Sequence, residues 1–388
     1  MVVSAMSASP DRPAAVMPAP PRRIAVLGAG GFLGSHLVPA LRRRFGVEIE
    51  AVDRDLDKLE RGDAGIVRRL CSIDQPGLIQ DLVDRCDVVL SLTAICTPSA
   101  YSQRPLEVID ANYTDLVPLV KACAARGRWL IHFSTCEVYG KAALSADDGR
   151  PTATMNEDAT ALWLGPVHKE RWSYACAKQL LERVIFAHGQ HGGLPFTIVR
   201  PFNVIGPRMD FVDGIDGSGI PRVLAAFMGA LLKGEDLMLV DGGQQRRSFI
   251  YVDDFVDGVL RILERPAACQ GEIFNLGNPR NDLTIAELAR QIRAAYQRLA
   301  PQAAGSRSEL RAITAEEFYG AGYDDSVERI PDLGKAETLL GFVPRTTIAE
   351  MLPPIVQDYL ARYLDRVAAP VAAEVLAAAA LGKDGAGL

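Results

Sequence analysis

The chain has 388 residues, of which 48% are hydrophobic, and a formal net charge of -6. This length and composition predict a globular protein of one or two domains, and every apolar run is shorter than the roughly 18 residues that cross a bilayer. The charge is spread along the chain without a basic block, so we expect no nucleic-acid partner and no membrane partner.

Seven cysteines stand at irregular spacings without a C-x-x-C pair, which argues against a disulfide framework and a zinc site. We therefore expect a cytoplasmic protein without a metal. Residues 1–21 are rich in Pro, Ala and Ser but lack the pattern of a secretory signal, and we predict a disordered tail there. The Ala-rich end, residues 366–388, is predicted to be a second tail or a frayed helix.

The first predicted element is a strand at Arg23–Leu27, which opens into the glycine-rich turn Gly28–Gly34 and a helical pattern. Gly28 allows a tight turn, Gly31 lets the backbone approach a pyrophosphate, and Gly34 lets the helix pack closely on the strand. The helix N-terminus offers unpaired N–H groups to phosphates. Either this is a dinucleotide-binding fingerprint or it is only a turn.

The next predicted strand, Val47–Val52, ends in Asp53, about 20 residues after the glycines, the usual place for a ribose-binding acid. A carboxylate there accepts hydrogen bonds from the adenosine ribose and repels the extra phosphate of NADP, so we predict NAD. The plain alternative is a residue of a turn at the strand end. Asp74 follows a short strand near Val67–Cys71 and either contacts the adenine or caps the following helix.

Further buried strands are predicted at Val88–Leu92, Trp129–Ser134 and Phe196–Arg200, with helical segments between them. This alternation predicts an α/β protein with a Rossmann-like doubly wound parallel sheet and a smaller C-terminal substrate-binding domain. We assign residues 22–200 to the NAD-binding domain and 201–365 mainly to the substrate-binding domain. Part of residues 244–276 is predicted to return to the sheet.

Tyr174 and Lys178 lie four positions apart in a segment, Tyr174–Gln190, without proline, which places them on one face of a predicted helix. An ammonium beside a phenol favours the phenolate and lowers the phenol pKa from its usual value of about 10. Tyr174 is therefore a candidate base for a sugar hydroxyl. The alternative is that this spacing arises by chance on a solvated helix face.

The glycine turn, Ser134-Thr135, Tyr174 and Lys178 occur in the order and spacing of the extended short-chain dehydrogenase/reductase superfamily. The resemblance runs from about residue 23 to residue 363. Within the superfamily, segments 94–98, 171–180, 200–210 and 318–332 resemble the UDP-apiose/UDP-xylose synthases. Next nearest is the UDP-glucuronate decarboxylating domain of the lipid A aminoarabinose pathway, which usually has small or hydroxyl residues where Cys96 and Cys136 stand here.

The resemblance implies a set of site residues. Thr135 would orient the substrate hydroxyl, with Tyr174 the base and Lys178 its charge support and ribose anchor. The other implied catalytic residues are Arg329, which would hold the carboxylate, and Glu137, Arg171, Cys96 and Cys136, which would attend the sugar after decarboxylation. Substrate-binding roles are implied for Tyr101, Asn203, Arg222, Arg247 and Tyr323, together with Arg171 and Arg329. Cofactor contacts are implied for Gly28, Gly31, Phe32, Leu33, Gly34, Asp53, Asp74, Leu92, Ala94, Tyr174, Lys178 and Pro201.

The residue types alone leave alternatives open. Free cysteine is most often a small buried hydrophobic residue, a single arginine is often a surface residue, and Glu137 could only orient backbone. His188 and His191 share a helix face without carboxylate neighbours, which argues against a metal site there.

The resemblance also implies an activity, which is the oxidation of UDP-glucuronate at C4 by tightly bound, recycled NAD, followed by decarboxylation to a UDP-4-keto-pentose. Reduction would give UDP-xylose, and ring contraction before reduction would give UDP-apiose. A homodimer is the implied assembly. The alternatives are a decarboxylase giving only UDP-xylose or the keto-pentose, another NAD-dependent nucleotide-sugar epimerase or dehydratase, and a non-enzymatic NAD-sensing scaffold.

Overall fold

The computed structural model describes residues 21–141, 154–319, 324, 326 and 328–381. The strands are β1 Arg23–Leu27, β2 Glu48–Asp53, β3 Ile66–Leu70, β4 Val88–Ser91, β5 Trp129–Phe133, β6 Phe196–Pro201, β7 Val204–Ile205, β8 Leu237–Val240, β9 Arg246–Ser248, β10 Ile250–Tyr251, β11 Glu272–Leu276, β12 Asp282–Thr284 and β13 Leu310–Ile313. The helices are α1 Phe32–Phe45, α2 Leu78–Arg85, α3 Pro98–Gln103, α4 Pro105–Ile109, α5 Val117–Arg126, α6 Ser173–Gly192, α7 Val223–Lys233, α8 Val252–Glu264, α9 Pro266–Cys269, α10 Ile285–Leu299, α11 Ala315–Tyr319, α12 Gly334–Leu340 and α13 Ile348–Leu381.

Seven parallel strands form the central sheet in the order β11-β6-β5-β4-β1-β2-β3, which confirms the predicted doubly wound α/β fold. Every residue of β4 and β5 is buried, as expected for strands covered by helices on both faces. The strand order reverses between β1 and β4, and such a switch point opens a crevice at the carboxyl ends of the strands.

Two hydrophobic cores cover the two faces of the sheet. One core packs α2, α5 and α6 against the sheet. The other begins under α1 and α8 and continues through α7, α10 and α13, so the sheet and the C-terminal half share buried side chains. The C-terminal elements are therefore packed directly on the sheet that carries the glycine turn.

The C-terminal half adds short strand pairs, β10 with β7, β12 with β9 and β13 with β8, and returns β11 to the edge of the central sheet. The backbone of α13 is helical through Leu381, so most of the Ala-rich end is helix in this structure. The predicted N-terminal tail lies outside the described residues, apart from residue 21, and so does Tyr323. Within the described part of the chain, no helix has the length and apolar character needed to cross a membrane.

Candidate active site

The turn between β1 and α1 is a cradle that side chains would fill. Gly28 has φ +86, and a Cβ there would lie 3.0 Å from the backbone of Leu92. A side chain at Gly34 would overlap the Gly28 carbonyl, and one at Gly30 would overlap the carbonyl of Asp55. These contacts explain why glycine is needed at positions 28 and 34, as predicted. They also show that glycine is needed at position 30, because the loop that contains Asp55 packs against it.

Asp53 lies at the end of β2 beside this cradle. Its Oδ2 accepts a hydrogen bond from the Gly30 N–H at 2.9 Å, so the carboxylate is directed toward the glycine turn. Asp74 is exposed and stands apart from the cleft that the cradle lines. The alternative that Asp74 caps a helix is wrong, because Gly77 occupies the cap position of α2. Its adenine contact stays a prediction.

A cleft of about 1160 Å³ opens over the carboxyl ends of β1, β4, β5 and β6, and we call it the cofactor cleft. All the predicted cofactor residues except Asp53 and Asp74 line it. The predicted catalytic residues line it too, apart from Arg171, which lines the adjoining cleft described below. The sequence motifs, separated by up to 300 residues, therefore converge on one place.

Tyr174 and Lys178 extend from the first turns of α6 into this cleft. The Thr135 side chain is near enough to the Tyr174 phenol to lower its pKa slightly against the stronger effect of burial, and the Lys178 ammonium donates to the carbonyl of Phe133 at 3.0 Å. The ring of Tyr101 stacks on Tyr174 with centroids 5.0 Å apart and planes 6° apart. Helical spacing and this stack together hold the phenol at the base of the cleft.

The expected lowering of the Tyr174 pKa is wrong for this structure. Burial raises the Tyr174 pKa well above its usual value, and negative charge at Cys96 and Glu137 would raise it further. Burial also lowers the Lys178 pKa to about 8. Both shifts have one cause, because a buried site disfavours whichever form of a group carries charge. A positive charge in addition to that of Lys178 is therefore needed before the Tyr174 phenol ionises readily.

Tyr101, for which the resemblance implies a substrate-binding role, lines the cofactor cleft beside Tyr174. Its hydroxyl donates to the carbonyl of Cys96 at 2.9 Å. The guanidinium of Arg171 lies over the Tyr101 ring, 5.1 Å from the ring centre. Tyr101 therefore contacts the Tyr174 ring, the backbone of Cys96 and the side chain of Arg171.

Glu137 joins two predicted site arginines. Its Oε2 lies 2.6 Å from Nη1 of Arg171, and its Oε1 lies 3.3 Å from Nη1 of Arg329. The Arg329 Nε donates to the Ser326 hydroxyl at 2.6 Å. Both guanidinium groups are only 5% exposed, so their charge acts in a region of low polarity. We call Glu137, Arg171 and Arg329 the cleft cluster.

Cys96 and Cys136 both line the cofactor cleft, and the positive charge of Arg329 acts on the Cys136 thiol. Burial raises the pKa of each thiol, with the nearby arginines acting in the opposite direction. Both side chains are therefore protonated thiols near neutral pH. All seven cysteines of the chain are free.

A second cleft of about 1150 Å³ adjoins the first, and we call it the substrate cleft. The two clefts share five predicted site residues: Cys96, Glu137, Asn203, Arg222 and Arg329. Arg247 lines the substrate cleft. Arg222 stands where the clefts meet, and its Nε and Nη2 bind the carboxylate of Asp210 at 2.9 and 2.5 Å.

Sequence reasoning gave no role to four aromatic residues of the substrate cleft, which are Phe227, Phe249, Phe318 and Tyr319, although the last two lie in the segment 318–332 that carries the resemblance. Phe318 and Tyr319 are in edge-to-face contact at 4.8 Å between centroids. Flat apolar surfaces of this kind suit a nucleobase. The adjacent aromatic residues Phe318 and Tyr319, in a segment rich in charged residues, were a signal for this site in the sequence. Phe227 is far from them in sequence and joins the same cleft only through the fold.

Comparison with known proteins agrees with this geometry. Residues 24–277 match the family described as the NAD dependent epimerase/dehydratase family. The chain is 42% identical over 352 residues to UDP-D-apiose/UDP-D-xylose synthase 1 of Arabidopsis thaliana, covering 86% of this chain and 90% of the relative. It is 42% identical over 354 residues to UDP-D-apiose/UDP-D-xylose synthase of Oryza sativa subsp. japonica, covering 86% and 88%.

Among solved structures, the PbgP3 protein from Burkholderia pseudomallei is similar, with a TM-score of 0.77 and 32% identity over 89% of this chain and 98% of that one. The match in sequence thus extends over both clefts and not only over the glycine turn. The chain belongs to the NAD dependent epimerase/dehydratase family.

Proposed function

We propose that this protein catalyses the NAD-dependent decarboxylation of UDP-glucuronate through a UDP-4-keto-pentose, with ring contraction and reduction to UDP-apiose, reduction to UDP-xylose, or both. The observation that carries this proposal is the cleft cluster, which brings two buried arginines beside the Tyr174–Thr135 pair. Positive charge for a sugar carboxylate thereby lies next to a base for a sugar hydroxyl. The 42% identity to two plant UDP-apiose/UDP-xylose synthases supports the same substrate.

The residues present fit NAD. The cradle at Gly28, Gly30 and Gly34 leaves no room for side chains, so the backbone and the N-terminus of α1 face a diphosphate directly. Asp53 and Lys178 would hold the two riboses. When bound, NAD supplies a hydride acceptor that later returns the hydride, and its positive ring adds the charge that Tyr174 needs.

Each residue of the site then has a defined task. Tyr174 takes the proton of the C4 hydroxyl, and the Thr135 hydroxyl, which lines the same cleft, orients that group. Arg329 and Arg171 hold the carboxylate, while Glu137 between them offsets their mutual repulsion. Once C4 is a ketone, the C5 carboxylate is β to it, and the electrons of the breaking C–C bond pass into the carbonyl.

The overall equation is UDP-glucuronate plus one proton giving UDP-xylose and carbon dioxide, because a C–H bond replaces the carboxylate. Forming UDP-apiose also requires retro-aldol opening of the C2–C3 bond, which needs an acid and a base near those carbons. Cys136 and Cys96 are protonated thiols in the cleft, and Glu137 is the adjacent carboxylate. We assign the ring-contraction step to these three residues.

The test is to incubate the purified protein with UDP-glucuronate and follow the products by NMR. We expect carbon dioxide release with UDP-apiose, UDP-xylose or both. Cys136→Ser and Cys96→Ser should lower the UDP-apiose share about tenfold or more, since an acid–base group typically contributes at least that much. An epimerised product without carbon dioxide would overturn the decarboxylation, and an unchanged apiose share would remove the cysteines from the mechanism.

The assembly and compartment that we infer are a homodimer and the cytoplasm. The neighbouring helices α4 and α6 expose large apolar side chains, with Leu106 75%, Leu180 44% and Phe186 45% exposed. Exposed apolar side chains on two adjoining helices suit contact with a second copy of the chain. Seven free thiols suit a reducing compartment. Analytical ultracentrifugation should give twice the 41.9 kDa mass of one chain.

A further inference from the structure

Lys58 lies in the loop after β2, and its side chain lines the cofactor cleft together with Gly28 and Gly31. Sequence reasoning gave this residue no role. The loop is packed on the glycine turn, since the carbonyl of Asp55 occupies the space beside Gly30.

Arg208 holds the same loop against α1. Its Nη1 donates to the carbonyl of Lys58 and its Nη2 to the carbonyl of Ser35, both at 3.4 Å. The bond from Arg208 therefore links the backbone at Lys58 to α1, and the Lys58 side chain lies in the wall of the cleft that also contains the glycine turn.

The charges around Lys58 leave a positive excess toward the cleft. Burial lowers the Lys58 pKa, and Asp210 is the strongest opposing influence. The Asp210 carboxylate, however, already binds the side chain of Arg222 and accepts from the Arg222 N–H at 3.0 Å. Arg362 and Asp216 act on Lys58 more weakly and with opposite signs. Within the described residues, no carboxylate forms an ion pair with Lys58, so its amino group is available to an anion bound in the cleft.

We propose that Lys58 is a further cofactor-binding residue, whose ammonium binds the diphosphate of the dinucleotide opposite the N-terminus of α1 and slows its release. An ammonium and a helix N-terminus on two sides of a diphosphate give charge-assisted hydrogen bonds from both. A sugar nucleotide also carries a diphosphate, but Lys58 lines the cofactor cleft and lies outside the substrate cleft.

Retention matters because the reaction proposed above is redox-neutral overall. The nucleotide that takes hydride from the sugar is the one that must return it, so early release of NADH would strand an oxidised intermediate. The inference depends on NAD being the cofactor and requires only binding to be measured. A failure of the decarboxylation assay would therefore leave it intact.

The experiment compares Lys58→Met, Lys58→Gln and Lys58→Arg with the unaltered full-length protein. NADH affinity is measured by fluorescence titration, and its release rate by displacement with excess NAD. Losing one charged hydrogen bond to a phosphate should weaken binding about tenfold in the Met and Gln variants, with most of the loss appearing as faster release. Lys58→Arg should restore most of the affinity, and the salt dependence of binding should flatten in the Met variant.

Lys121→Met is the matched control, since Lys121 is an exposed lysine on α5. It should leave NADH affinity unchanged. UDP affinity, measured by calorimetry, should be the same in all five proteins. Unchanged NADH affinity in both Lys58→Met and Lys58→Gln, or a loss confined to UDP, would overturn the proposal.

Discussion

Two buried clusters of charge in this protein are built from the same kinds of side chain and differ in where they point. In the first, the cleft cluster, Glu137 binds Arg171 and Arg329, and all three line the substrate cleft. In the second, Glu182 on α6 binds Arg200 on β6 through two hydrogen bonds of 2.7 and 3.0 Å. We call this second group the closed cluster, because the hydrogen bonds of its charged groups are made to other atoms of the protein.

Hydrogen bonds extend the closed cluster without a gap. Arg200 donates to the Tyr139 hydroxyl at 2.8 Å, which donates to the amide oxygen of Asn275 at 2.9 Å. The Asn275 amide nitrogen donates to the carbonyl of Met155 at 2.8 Å. A buried ion pair whose remaining donors are satisfied inside the protein connects elements, whereas one at a cleft wall presents its charge to a ligand. Burial of charge alone therefore does not identify a functional site.

The largest effect we expect is on folding, from Arg200→Met in the closed cluster. Removing one partner of a fully buried pair leaves the Glu182 carboxylate uncompensated, which costs about 3–5 kcal/mol of unfolding free energy. Urea denaturation followed by circular dichroism measures the loss. Adding Glu182→Leu should recover part of it, because the orphaned charge is then removed.

The control for Arg200→Met is Arg104→Met, which breaks the exposed pair between Arg104 and Glu107 of α4. A pair of this type contributes about 0.3–0.5 kcal/mol. Equal losses in the two variants would contradict the distinction between a buried closed cluster and a surface pair.

The comparison also shows what the sequence could and could not provide. Strand periodicity predicted the β4 segment as Val88–Leu92, one residue longer than the observed Val88–Ser91, because alternation and burial are local properties of a strand. The helix spacing of Tyr174 and Lys178 was equally local. The direction of the Tyr174 pKa shift was not, since the depth of burial is set by segments far away in the chain.

The same limit applies to Gly30 and Lys58. Glycine is needed at position 30 because the Asp55 carbonyl occupies the space beside it. Lys58 is a candidate for binding an anion because the Asp210 carboxylate is already bound to Arg222. Both facts are contacts between segments that the sequence does not place side by side. The arginines of the cleft cluster were found only through the family resemblance, as no local pattern separates them from surface arginines.

The second effect concerns activity, from Arg329→Met in the cleft cluster. The variant removes one of two cations from the proposed carboxylate site while Arg171 still binds Glu137. We expect kcat/KM for UDP-glucuronate to fall about 100-fold, close to 3 kcal/mol, the upper range for a hydrogen bond between charged groups. NADH affinity should be unchanged, and the unfolding free energy should fall less than in Arg200→Met. Full activity in this variant would place the carboxylate elsewhere.

The smallest effect belongs to Lys178, which lies on α6 between the two clusters, one helical turn before Glu182. Burial lowers its pKa from the usual 10.5 to about 8, so below pH 8 the folded protein holds a buried charge at a free-energy cost. Lys178→Met should therefore stabilise the free protein by about 2 kcal/mol at pH 7, after subtracting the lost bond to the Phe133 carbonyl.

The sign of the pH dependence follows from the lowered pKa. Between pH 8 and 10.5 the unfolded chain keeps the Lys178 proton and the folded chain releases it, so the unaltered protein gains stability as pH rises through this window. The advantage of Lys178→Met should accordingly be largest at pH 7 and smaller at pH 9, as measured by urea denaturation at both values. If Lys178→Met were instead destabilised at pH 7, Lys178 would stabilise the fold as Arg200 does. It would then belong with the closed cluster, although its side chain lines the cofactor cleft.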